Sequence, residues 1–280
     1  MATKLHKDDL IKARYGSQDT PQNIIWNEQI EGLLNHRSIR NYLDKPLPEG
    51  WLETLVAAAQ SASTSSNLQQ WSVVAVTDSE LKSKVRALAG GKDGQGNGYI
   101  AQAPAILLWV ADISRNHDIT VDAGLNPSVH EYLDSFLMAS LDAALAAQNA
   151  SVAAESIGLG TVYIGAARNR AKELAELLSL PRYSYVVCGL VVGWPDLEVQ
   201  TNIRPRLPQQ VVVHHNRYQA KDLNTHIEAY EEVFKTFREG LGMKGKTWKE
   251  AVQGSATSME YMDGRQELRS TLDERGFGFK

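Results

Sequence analysis

The chain has 280 residues, 43% apolar and 22% charged, with 29 basic against 33 acidic side chains for a net charge of −4. At roughly 150 residues per domain the length allows one or two domains with a sizeable core, and a net negative chain is a poor non-specific partner for nucleic acid phosphates. The single cysteine excludes an intramolecular disulfide, residues 1–20 hold no apolar secretory core, and no apolar run nears the ~18 residues that span a bilayer. A cytoplasmic protein with no membrane segment is expected.

Apolar spacing predicts a helix over residues 23–35 and a second over 51–60, separated by a turn-rich stretch with two prolines. Residues 61–70 (SASTSSNLQQ) are too polar for a core element and read as a loop, and residues 71–76 (WSVVAV) read as a strand. A short helix over 79–88 leads to a loop with five glycines in residues 90–98. Residues 105–111 (AILLWVA) form a buried strand, and residues 129–157 form the longest helix, rich in alanine. Alanine joins high helix propensity to minimal bulk, so this helix suits close packing, at the centre of one subunit or at a dimer core. A strand over 161–164, a helix over 169–178 and a central strand over 183–192 follow, then a polar arm (201–218), a helix over 223–239 and a charged tail. This alternation argues for an α/β sandwich.

Most catalytic motifs fail. Gly158, Gly160 and Gly165 follow a helix and precede a strand, the reverse of a dinucleotide fingerprint. The glycines at 90–98 lack the Lys-Ser/Thr of a triphosphate loop. His6, His36, His117, His130, His214, His215 and His226 show no metal-binding pair at helical spacing, so no metal is expected. Cys188 lies inside VVCGLVV without a nearby base, and there is no G-x-S-x-G elbow. Three donor-rich segments remain: Arg37-Ser38-Ile39-Arg40, the serine-rich loop, and Arg204-Pro205-Arg206. Each alone reads as solvated surface; together they suit one anionic, hydrogen-bonding ligand, since guanidinium donors hold phosphate through charge-assisted bonds.

HRSIRNYLDKPLPEG followed by AAAQSASTSSNLQQWSVVAVTD resembles the opening of the FMN-dependent nitroreductase superfamily. The later segments AAQNASVAAESIGLGTVYIGAARN, LLSLPRYSYVVCGLVVGWPD and IRPRLPQQVVVHHNRYQ are similar to its NADPH-dependent branch, the oxygen-insensitive nitroreductases and NADPH–FMN oxidoreductases. The resemblance runs in order from about residue 33 to residue 248. It implies an α+β fold with a central, mostly antiparallel sheet flanked by helices, in an interlocked homodimer with FMN at the subunit interface. It further implies a single domain over 1–280, with an N-terminal extension (1–25) and a C-terminal arm (about 200–280).

The resemblance implies that His36, Arg37, Ser38 and Arg40 contact the FMN phosphate and ribityl chain, and that Thr64, Ser66 and Leu68 reach the flavin. Tyr163, Ile164, Gly165 and Ala166 correspond to a segment that packs against the ring and offers backbone N–H groups, Ala166 replacing the usual second glycine. Arg204 and Arg206 correspond to phosphate-binding cations, with arginine in place of the usual lysine. Gln95 or Asn97 fills the position at the pyrimidine edge, and Lys244 and Lys246 correspond to a basic loop that binds the extra phosphate of NADPH. The implied activity is ping-pong reduction of nitroaromatics, quinones or flavins by NADPH or NADH. The flavin carries that chemistry, so no catalytic side chain is assigned. Alternatives are a narrower flavin reductase or reductive dehalogenase, or a non-catalytic flavin-binding sensor or carrier.

Overall fold

The aliphatic runs at residues 105–111 and 183–192 become the central strands, because side chains of this kind fit a sheet covered on both faces. The computed structural model describes residues 6–17, 20–219 and 222–280. Residues 1–5, 18 and 19 of the N-terminal extension and 220 and 221 of the C-terminal arm lie outside the described residues. In chain order the elements are α1 (Lys7–Tyr15), α2 (Glu28–Asn35), α3 (Trp51–Gln60), β1 (Trp71–Val76), α4 (Ser79–Ala89), α5 (Tyr99–Gln102), β2 (Ala105–Asp112), α6 (Ser114–Asp122) and α7 (Leu133–Ser156). They continue with β3 (Gly160–Ile164), α8 (Ala171–Leu177), β4 (Ser184–Gly193), α9 (Gln209–Val212), α10 (Leu223–Gly240), α11 (Trp248–Thr257), α12 (Met259–Met262) and α13 (Leu268–Glu274). The chain divides into two compact units, Met1–Arg37 with Leu197–Tyr261 and Ser38–Asp196 with Met262–Lys280.

In the second unit, among the described residues, the strands form one antiparallel sheet in the order β1-β2-β4-β3. Alternate side chains of β2 point to opposite faces. Ile106, Leu108 and Val110 join Val85, Ala89, Ile100 and Leu174 on one side. Leu107 and Trp109 meet Leu55 and Ala59 of α3 and Ala146, Ala147, Ala150 and Ala154 of α7 on the other. The alanines therefore bury against the chain's own sheet. The opposite side of α7 carries Leu133, Leu137, Leu141 and Leu145, each four residues apart and 50–55% exposed.

In the first unit, α1 buries Leu10 and Ile11. Tyr230 of α10 is buried, its hydroxyl donating to Pro205 O (3.3 Å) while its ring meets Trp248 edge-on. No helix among the described residues is long and apolar enough to cross a membrane.

Two boundaries differ from the sequence expectation. The helix expected from residue 23 starts at Glu28, because the Asn27 side chain accepts the Ile30 N–H at 2.9 Å and caps the first turn. The helix expected from residue 129 opens with a 3-10 turn, Ser128–Glu131, and becomes α-helical at Leu133. Helices α1, α5, α6, α9, α11, α12 and α13 add to the elements read from the sequence. Of these, α11 carries a legible start signal, the reciprocal Thr247–Glu250 capping box.

Candidate functional site

The first unit holds the cationic segments. Burial alternates along residues 203–206: Ile203 and Pro205 are buried, Arg204 and Arg206 exposed. Ile203 and Pro205 line a cavity of about 1010 Å³ with Leu10, Val233 and Phe237, and the two arginines do not. Arg37 also lines this cavity, the Arg204 guanidinium lies over the Phe237 ring at 5.8 Å, and Arg206 Nη1 donates to Arg204 O and Pro205 O (3.3 Å each). Arg37 Nε donates to Thr201 Oγ1 (3.1 Å), and its Nη1 donates to Asn35 O and Oδ1 (3.3 and 3.1 Å).

Both segments converge on Arg14 of α1, a residue that no local motif singles out. Its guanidinium is 5% exposed and donates to Leu34 O and His36 O (2.9 Å each) and to Arg204 O (2.8 Å). Its own carbonyl accepts the Arg206 N–H at 2.8 Å. Carbonyls of residues 36 and 204 bonded to one guanidinium place the two cationic segments side by side. Lys244 and Lys246 lie on a different, exposed loop, where Arg238 donates to Lys246 O and the Glu231 carboxylate accepts the N–H groups of Trp248 and Lys249 (3.1 and 2.6 Å).

In the second unit, Ser38 and Arg40 flank the buried Ile39, whose N–H donates to Thr161 O at 2.9 Å. Gly160 permits that approach: a Cβ there would sit 2.7 Å from Ile39 Cγ1. The serine-rich loop adopts left-handed backbone at Ser66, Asn67 and Gln69 and exposes Ser66 and Leu68, while Thr64 is half-buried. Left-handed backbone at non-glycine residues needs outside support. Asp142 supplies it from α7: 2% exposed, its carboxylate accepts the N–H groups of Ser65 (2.9 Å) and Gln70 (3.3 Å). Buried Gln70 Oε1 has no partner among the described residues.

Tyr163 is half-exposed, burial pushes its phenol up, and its hydroxyl donates to Gln148 Oε1 of α7 at 3.4 Å. Gln148 lies six residues beyond Asp142, about 9 Å along the helix, so one helix backs both segments. Ile164 sends its side chain into the core and has only backbone to offer. In the glycine-rich loop Asn97 is spent internally, its amide donating to Ala89 O (2.7 Å) and accepting from Tyr99 OH (2.7 Å). Gln95 is exposed. Burial pushes the Cys188 thiol up to about 11, which leaves it protonated near neutrality. Among the described residues, no group of His, Cys, Asp and Glu is arranged to hold a metal ion.

In the first unit, guanidinium groups suit a phosphate monoester such as that of FMN; in the second, the loop and backbone supply neutral hydrogen-bond donors.

The comparisons agree. The family model described as the nitroreductase family matches residues 33–194, and that for its C-terminal domain matches residues 204–280. The FMN reductase [NAD(P)H] of Bacillus subtilis is 38% identical over 256 residues, covering 90% of this chain and 98% of that one. The NADPH-flavin oxidoreductase of Vibrio harveyi is 37% identical over 253 residues, covering 89% and 98%. The solved structure of the hypothetical oxidoreductase YcnD from Bacillus subtilis superposes with a TM-score of 0.84 at 37% identity, covering 91% of this chain and 100% of that one. The chain belongs to the nitroreductase family.

Asp142 gives a direct test of the loop. In Asp142→Asn one end of the side chain becomes an NH2 group that meets a backbone N–H, so at least one of the two bonds is replaced by repulsion. We expect a loss of about 1–3 kcal/mol in urea unfolding together with weaker FMN binding. Wild-type values for both would show that the loop does not depend on this carboxylate.

Proposed function

We propose that the protein is an FMN-dependent oxidoreductase that uses NADPH or NADH to reduce nitroaromatics, quinones or flavins. The observation that carries this reading is the arginine row of residues 204 and 206, held beside His36 and Arg37 by one buried guanidinium. FMN, when bound, supplies two-electron hydride chemistry in a ping-pong cycle. The chain binds, orients and shields.

In the first unit, His36, Arg37, Arg204 and Arg206 hold the phosphate, and Lys244 and Lys246 attract the additional phosphate of NADPH. Lysine is a point charge without the guanidinium fork, so discrimination between NADPH and NADH is modest. In the second unit, Ser38 and Arg40 serve the ribityl chain, and the loop bearing Thr64, Ser66 and Leu68 reaches the flavin. Tyr163, Ile164, Gly165 and Ala166 present backbone donors, the half-exposed Tyr163 ring adds a flat surface, and Gln95 or Asn97 meets the pyrimidine edge. Anaerobic NADPH is expected to bleach the FMN-loaded protein, and a nitroaromatic or quinone to restore the yellow colour without NADPH present. A yellow protein that NADPH leaves unbleached would overturn the enzymatic reading in favour of a sensor or carrier.

The working unit in this reading is a cytoplasmic homodimer joined through the outer row of α7. Four half-exposed leucines on one face of a long helix each stand to gain about 1 kcal/mol on burial. We expect Leu141→Glu to convert the dimer to a monomer in sedimentation at micromolar concentration. An unchanged mass would move the interface elsewhere.

A further inference from the structure

We infer that Arg14, on the helix preceding the residues matched by the family models, is a positioning residue for the FMN phosphate. This inference rests on the assignment of Arg37, Arg204 and Arg206 to that phosphate. The difficulty it answers is electrostatic. Phosphate sites commonly use a helix N-terminus, where N–H groups and the positive end of the helix dipole meet the anion. Here the anion-binding segment leaves the C-terminus of α2, which ends at Asn35 one residue before His36. That end carries about half a negative charge and carbonyls without intrahelical partners. Exposed to a dianion, those carbonyls would repel it.

Arg14 removes the conflict in two ways. Its guanidinium covers Leu34 O and His36 O at 2.9 Å each, satisfying them and setting a full positive charge against the helix end. The same fork takes Arg204 O at 2.8 Å, while the Arg14 carbonyl takes the Arg206 N–H at 2.8 Å. Residues 204 and 206 are thereby gripped through their backbones, and both residues are exposed. Arg14 is 5% exposed, so its place is behind the donors and not among them.

The test measures FMN and riboflavin affinity, by flavin fluorescence, on the apoprotein of full-length wild type, Arg14→Gln and Arg14→Lys. Glutamine loses the charge and cannot span three carbonyls; lysine keeps the charge and loses the fork. We expect Arg14→Gln to weaken FMN binding about tenfold, the worth of roughly one charge-assisted bond, with riboflavin affinity unchanged. Arg14→Lys should fall between. Equal weakening of both flavins would mean a merely structural role, and unchanged FMN affinity would also overturn the inference. If Arg14→Gln does not fold, Arg14→Lys is judged by the same criteria. Arg37→Ala combined with Arg206→Ala separates the two levels of the argument. If that variant weakens FMN while the Arg14 variants do not, only the inference fails; if it too binds FMN normally, the phosphate assignment itself fails.

Discussion

The close approach of α7 to the sheet is the constraint on which the second unit depends. Ala146, Ala147, Ala150 and Ala154 lie directly against Leu107, Trp109, Leu190 and Val192, and a larger side chain at these positions would lift the helix or strain the core. That seating fixes the helix rotation, which in turn fixes what its other sides do. Asp142 meets the amides of the serine-rich loop, Gln148 meets Tyr163, and the leucine row faces outward. A single packing decision sets the support of the loop, the Tyr163 contact and the outward leucine row together.

The first unit is governed by charge and backbone satisfaction. The net charge of −4 conceals a local concentration of guanidinium groups, and these are useful only where their backbones are held. Arg14 provides that hold from outside the residues matched by the family models. In both units one buried ionisable side chain holds backbone near groups assigned to FMN: Arg14 holds residues 36, 204 and 206 in one, and Asp142 holds the serine-rich loop in the other. A buried charge of this kind persists because several hydrogen bonds compensate its desolvation.

Much of the fold was legible in the sequence. The strands at 71–76, 105–111, 161–164 and 183–192 follow from short aliphatic runs bounded by turn residues, and the long helix follows from its alanine content. The orientation of that helix was not legible, since alanine suits a subunit core and a dimer core equally; only the sheet contacts decide that the alanines face inward and the leucines outward. The start of α2 was misplaced because Ile24 and Ile25 extend the apolar pattern past Asn27, whose side chain ends the helix. The donor segments could be found as composition, but Arg14 and Asp142 could not: each acts on residues far along the chain, at positions 204 and 65, and neither belongs to a local motif. The resemblance named the cofactor where periodicity alone stopped at an anionic ligand.

The central claim is that cationic side chains anchor FMN through its phosphate. Isothermal titration of the wild-type apoprotein with FMN and with riboflavin, at low ionic strength, tests it most directly. Two charge-assisted contacts to the phosphate predict that FMN binds at least about a hundredfold more tightly than riboflavin, with the difference narrowing as salt is added. Equal affinity for the two flavins would contradict the account.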